Sequence, residues 1–266
     1  MSAPTEGKLL VIIGCEVLQD EVVHLLHDDV EVASIIIPPG PGEEELRHKL
    51  SAAGLGGKIR VMAQAPAKQD LPPGMSVQVL LNTMAHHSNP DELQAAVRAE
   101  VKEADKVADS ILVFYGLCGN ALINIDALSQ NFEAPVTIVR DRQGKIADDC
   151  VGMLIGDRKR YLELLRSSTG SLYMSPAWAE HWRKFMMDIQ MVQDINDLDG
   201  AKFVFPYMGY KRVVMLETGL GNEEEFKRQV DEVAGIFGFS VERVHCSTAR
   251  IDAAYSTAKG YLAGDG

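Results

Sequence analysis

Short apolar runs rich in β-branched residues, each followed by a helix-length segment of mixed polarity, constrain this chain more than any other feature. The run at 9–13 leads into 16–26, where Val17, Leu18, Val22, Leu25 and Leu26 recur at helical spacing. A strand at 30–37 is followed by the breaker Pro38-Pro39-Gly40-Pro41-Gly42, a helix at 43–53 and a short strand at 59–62. A strand at 77–81 leads to Asn89 and Pro90, an N-cap followed by a proline at the first helical position, which start a helix running to about residue 108. A strand at 111–115 then feeds Gly116-Leu117-Cys118-Gly119-Asn120 and a helix to about 128. A strand at 136–139, a polar loop at 140–149 and a helix at 151–166 complete the series. Strands that read as continuous apolar runs and are joined by helices predict an α/β fold: an open, mainly parallel, Rossmann-like sheet flanked by helices.

The texture changes after residue 167. A short strand at 171–174 precedes a helix at 176–194 carrying Trp178, Trp182, Phe185 and Met186, which would bridge two lobes. Beyond it lie an apolar segment at 203–205, a strand at 212–216, a turn at 219–222, a helix at 223–237, a strand at 241–245 and a helix at 249–262. The expected organisation is an N-terminal α/β lobe over 1–166 that carries the chemistry and a smaller C-terminal α/β lobe over 167–266. A single continuous domain is the alternative.

Charge and composition narrow the function classes. With 26 basic against 38 acidic side chains the net charge is −12, so a cationic footprint for a phosphate backbone would have to be built against the overall field. Nucleic acid is therefore not an expected partner. No apolar run reaches the length of a membrane helix, and Met1-Ser2-Ala3-Pro4-Thr5-Glu6-Gly7 has neither a basic nor a long apolar leader region. The expectation is a cytoplasmic protein without a membrane span, its oligomeric state left open. Its four cysteines form no CxxC pair, so spacing gives no metal signature.

Position is more informative than spacing. Cys15 ends the first strand, Cys118 lies three residues past Tyr115, Cys150 follows the loop after the strand at 136–139, and Cys246 ends the last strand. In open α/β sheets the ligand crevice lies outside the carboxyl ends of the strands. Cys15 and Cys118 are also expected to open helices, where backbone N–H groups and the helix dipole favour a thiolate. The plain alternative is a small packing residue at a strand-to-helix corner.

Glycines on both sides of Cys118 allow tight geometry and close approach of a ligand, so Gly116, Gly119 and Asn120 are candidate cofactor contacts and Cys118 a candidate nucleophile. The motif is not the Gly-x-Ser-x-Gly elbow, and Gly54, Gly56, Gly57 and Lys58 fail the phosphate-loop pattern. His86 and His87 fall on the same strand-end face, where an imidazole would complete a metal shell. His24 and His27 read as solvated. Asp149 reads as a helix cap, and Arg140 and Arg142 would either hold an anionic group or pair with Asp148 and Asp149.

At Tyr115-Gly116-Leu117-Cys118-Gly119-Asn120 the chain resembles the DUF1638 family, an uncharacterised group. The resemblance extends over about 8–245 through Gly14-Cys15, His87, Pro90, Arg140, Asp149-Cys150, Gly156, Tyr161, Gly170, Tyr173, Trp178 and Thr218-Gly219. It departs at Asp148, where the family usually has His, and in the tail from Cys246 to Gly266. No reaction is carried over. The family's association with corrinoid-dependent methyltransferase systems implies a setting in one-carbon metabolism, and the resemblance singles out Cys15, Cys118 and Cys150 and leaves Cys246 to packing.

Three functions compete. The first is a metal or iron–sulfur protein in which Cys15, Cys118 and Cys150 converge on zinc or a cluster, with His87 or an open position as the fourth ligand. The second is a transferase or hydrolase using Cys118 as nucleophile. The third is a non-catalytic accessory that binds a corrinoid protein or a small corrinoid molecule.

Overall fold

The computed structural model describes residues 7–263 apart from 65, 189, 191, 195 and 197. The N-terminal segment read for a leader and the end of the C-terminal tail lie outside the described residues, as do two positions of the segment 176–194. In chain order the elements are β1 (Lys8–Cys15), α1 (Gln19–His27), β2 (Val32–Ile37), α2 (Glu43–Ala52), β3 (Ile59–Val61), β4 (Met75–Asn82), α3 (Pro90–Ala104), β5 (Ser110–Phe114), α4 (Ile125–Ser129) and β6 (Val136–Ile138). They continue with α5 (Cys150–Ile155), α6 (Arg158–Ser167), β7 (Ser171–Met174), α7 (Pro176–Glu180), α8 (Trp182–Asp188), α9 (Asp199–Tyr207), β8 (Arg212–Glu217), α10 (Glu223–Phe237), β9 (Ser240–His245) and α11 (Ala249–Ala263).

The fold is an open α/β sheet of Rossmann-like kind. Six strands pair in the order β3-β2-β4-β1-β5-β6, all parallel, and a second parallel sheet has the order β7-β8-β9. β1 is central and its run from Leu9 to Ile13 is fully buried, which explains why it reads as unbroken apolar sequence. Its side chains alternate between two cores. Leu9, Val11 and Ile13 pack with Leu93, Val97 and Val101 of α3, whereas Leu10 and Ile12 pack on the opposite face with α1, α2 and α11. That second core is continuous with Trp178, Trp182, Phe185, Met215 and Val230 around the small sheet.

The expected boundary after residue 166 falls at the last residue of α6, and packing crosses it in both directions. Leu154 of α5 packs on Val214, Leu216 and Val244 of the small sheet, and α11 returns to cover β1, β5 and β6.

Several helices differ from expectation for local reasons. The segment after Cys118 is a series of turns, and α4 begins only at Ile125, because Cys118, Gly119 and Asn120 all take left-handed backbone angles (φ 44°, 69° and 68°) that a right-handed helix cannot continue. The helix expected at 151–166 is two helices, since Gly156 ends α5 in a left-handed cap and Asp157 starts α6 by accepting the Arg160 N–H (3.1 Å). α7 and α8 split the helix expected at 176–194 at His181. The apolar segment 203–205 belongs to α9.

Candidate active site at the strand ends

Parallel register brings the strand ends together. Cys15 lies opposite Asn82 of β4, and Gly14 lies opposite Phe114 of β5, so the residues after these strands meet at one edge of the sheet. There Cys15, Cys118, Cys150, His86, His87, Tyr115 and Gly116 line one small cavity of about 20 Å³, walled by Val17, Leu18, Leu93, Met84 and Met153.

Two backbone hydrogen bonds draw the loops of Cys118 and Cys150 to each other. Leu117 N–H donates to Ala147 O (2.7 Å) and Cys118 N–H donates to Asp148 O (2.9 Å). Gly116 is what permits this approach: a Cβ there would sit 2.6 Å from Ala147 O and 2.7 Å from Asp149 N. Its close partner is therefore the protein's own chain. Gly119 and Asn120 are exposed and lie outside the cavity lining, and Gly119 has open space around it apart from Pro90 Cγ at 3.6 Å.

Helix termini do not act as expected. Cys118 opens no helix, and its N–H is spent on Asp148. Cys15 precedes a single 3-10 turn (Glu16–Leu18), and it is Cys150 that stands first in a helix, the short α5. Asp149 caps α5 by accepting the Gly152 N–H (2.8 Å) and the Tyr161 hydroxyl (2.6 Å). Arg140 faces away from the cavity, paired with Asp126 and donating to Gly144 O (3.2 Å), while Asp148 pairs with Arg158 (3.1 Å).

All four cysteines are free thiols. Burial pushes the Cys15 and Cys118 thiols up to about 12, helped at Cys118 by the neighbouring Cys15 and Asp149, and raises Cys150 well above its ordinary value. Without a cation the three are neutral at physiological pH. Among the described residues no group of three or more His, Cys, Asp or Glu is spaced to hold a metal ion as it stands. The thiols share a cavity without forming a closed ligand set.

Two participants, Tyr115 and Glu16, escaped the sequence reading, and His86, which it named, has an unexpected setting. The Tyr115 hydroxyl is buried beside the Asn82 amide, which donates to Glu100 (2.7 Å). His86 buries its Nδ1 without a partner. Glu16, 3% exposed, accepts from Met84 N–H (2.7 Å), the Thr83 hydroxyl (3.2 Å) and Lys184 Nζ (3.0 Å). Tyr115 and Glu16 each adjoin a residue the sequence did mark, Gly116 and Cys15, and that adjacency was the available signal.

Cys246 lies apart. It packs with Leu154, Val214, Leu216 and Val244, and its thiol donates to Val244 O (3.5 Å). His24 and His27 are not simply solvated: His24 Nε2 pairs with Asp252 (2.9 Å) and His27 Nδ1 donates to Ala53 O (3.0 Å). Both border a larger groove of about 650 Å³ between α1, α2 and the turn after β8. Lys49 in that groove is saturated by Asp20 (2.9 Å) and Glu180 (2.6 Å).

No helix among the described residues is long and apolar enough to cross a membrane. No curated protein matches the sequence. A family model described as a protein of unknown function matches residues 82–255, a stretch that contains Cys118, Cys150, His86 and His87, runs past Cys246 and begins after Cys15. With nearly two-thirds of its length matched, the chain belongs to the DUF1638 family.

Proposed function

We propose that this protein binds a metal ion or iron–sulfur cluster through Cys15, Cys118 and Cys150, and acts in the cytoplasm in or beside corrinoid-dependent one-carbon metabolism. The observation that carries the reading is the convergence of three free thiols, from three separate segments, on one cavity whose lining also includes His86, with its Nδ1 buried and unpartnered. Buried polar groups in folded proteins are almost always satisfied, so His86 Nδ1 marks a place where something else supplies the partner.

The donor set fits a thiophilic metal. A coordinated cation removes thiol protons outright and so offsets the burial that keeps these thiols neutral. Zinc or an iron–sulfur cluster bound there would supply Lewis-acid or redox chemistry. Ligation requires the thiols to draw together, and the left-handed turn at 118–120, exposed at Gly119 and Asn120, is the segment placed to let Cys118 move. The corrinoid setting rests on the family resemblance, and the partner it implies is a corrinoid protein or a small molecule. The net charge of −12 argues against nucleic acid.

The same electrostatics weigh against Cys118 as an unaided nucleophile. Such a cysteine needs a lowered pKa from a cation or imidazole, whereas burial, Cys15 and Asp149 all raise this one.

Metal analysis with an absorption spectrum on anaerobically purified protein tests the proposal. Zinc without colour, or iron with sulfide and a brown protein, is the expected outcome, lost in Cys15→Ser, Cys118→Ser and Cys150→Ser and retained in Cys246→Ser. Protein that carries no metal and takes none up on reconstitution overturns it.

A further inference from the structure

We propose that the site holds one divalent ion, not a multi-atom cluster, and that His86, not His87, supplies its fourth ligand. This rests on the metal-binding reading above and specifies it.

Cavity size comes first. About 20 Å³ is room for a single water-sized body, and the walls that set it are core residues: Val17, Leu18, Leu93 and Met153 are each at most 4% exposed. A cluster would have to displace them. A lone ion needs only the cysteine side chains and their loops to close.

The two histidines are then separated by their turn. Both lie in the 3-10 turn Met84–Ser88, where neighbouring side chains diverge by about 120°, so both cannot face one ion. The turn is held in orientation from the site side. Glu16, the residue after Cys15, accepts the Met84 N–H and the Thr83 hydroxyl, and Thr83 Oγ1 in turn accepts the Ala85 N–H (3.3 Å). Held this way, the turn half-buries His86 with its Nδ1 enclosed and unpartnered, and leaves His87 exposed.

Charge selects a divalent ion. Three thiolates with a monovalent ion would leave two negative charges in a pocket already bordered by Glu16 and Asp149; a divalent ion leaves one, and a neutral imidazole adds none. On binding, each cysteine S–H bond breaks, its proton passes to the buffer and a sulfur–metal bond forms. His86 contributes a nitrogen lone pair. The balance is three protons out for one ion in, with no change of oxidation state. Three sulfurs and one nitrogen make a closed tetrahedral shell, the arrangement of structural zinc sites, which would staple β1, the turn after β5, α5 and the 84–88 turn.

The test titrates the full-length protein anaerobically with Zn²⁺, and with Co²⁺ as a spectroscopic probe. Calorimetry in buffers of different ionisation enthalpy counts the protons. The expected result is one ion per chain, about three protons released, and the visible bands of tetrahedral cobalt with sulfur charge transfer. His86→Ala and His86→Gln should each weaken binding by more than about tenfold and alter the cobalt bands, while His87→Ala changes neither. Thermal melting of the metal-free variants separates a lost ligand from a lost fold. Loss of binding in His87→Ala with His86→Gln intact overturns the assignment, as does indifference to both histidines or uptake of several irons with sulfide; each of those leaves metal binding standing. Failure of the unaltered protein to take up any of these metals overturns the metal-binding reading itself.

Discussion

Gly116 and Glu21 show how far single residues depart from their sequence appearance. Gly116 and Gly119 look like equivalent halves of one permissive turn, yet their constraints differ. Gly116→Ala puts a methyl group against Ala147 O and Asp149 N and should cost about 1–3 kcal/mol, with loss of the Cys118–Cys150 juxtaposition. Gly119→Ala meets only its left-handed angle and should cost about 1–2 kcal/mol while leaving metal uptake intact. Chemical denaturation of the two variants beside zinc uptake checks the contrast. Glu21 is fully buried, and neither of its oxygens is hydrogen bonded. Burial, aided by Asp20, pushes its carboxyl up to about 8. In the unfolded chain it titrates near about 4.3, so between that value and about 8 the native state holds a proton the unfolded state has released. Stability present at low pH is lost as the pH rises through this window, and above it the loss is complete. Glu21→Gln should be more stable than the parent at pH 8.5, by on the order of a few kcal/mol, and alike at pH 4; parallel denaturant melts at the two pH values decide it.

At the scale of elements, helix starts were legible and helix continuity was not. The Asn89-Pro90 signal is realised in full: the Asn89 side chain accepts from Asp91 N–H (3.2 Å) and Glu92 N–H (3.4 Å), and α3 follows. Asn89→Ala should cost about 1 kcal/mol by thermal melting, the ordinary worth of such a cap. Asp149 was equally readable as a cap. It carries a second load, since the Tyr161 hydroxyl donates to it from α6 and ties α5 to its neighbour. Asp149→Ala should therefore cost more than Tyr161→Phe, which deletes only the shared hydrogen bond. A helix from the 116–120 turn to about residue 128 was expected. Three consecutive left-handed residues forbid it, and no periodicity encodes that.

The whole molecule is joined by segments that act far from where their sequence position suggests. α11 follows the small sheet in the chain but packs on β1, β5 and β6, with the Tyr255 hydroxyl (2.8 Å) and Lys259 Nζ (2.6 Å) both donating to Asp29 after α1. Truncation after Cys246 would uncover the face carrying Leu10, Ile12, Leu112 and Phe114. It should abolish cooperative unfolding, seen as loss of a sharp melt and rapid proteolysis, and not merely trim a tail. Lys184 of α8 makes a second long connection, reaching Glu16 beside Cys15. The small sheet and its helices thereby help fix the segment that carries the first thiol.

What the sequence alone determined was local or periodic: strand positions, the parallel α/β class, the caps at Asn89 and Asp149, and the placing of cysteines at strand ends. Each follows from a side chain's own preference or from a repeat of two or 3.6 residues, which the chain carries without reference to its neighbours. Only the tertiary structure decided which strand ends meet, because the order β4-β1-β5 and its register are set by packing across the sheet and bring Cys15, Tyr115 and Cys118 together from distant segments. It also decided that His86 is half-buried with its Nδ1 enclosed while the adjacent His87 is exposed. That difference depends on how Glu16 holds the 84–88 turn, a contact between residues 68 positions apart that no local pattern records.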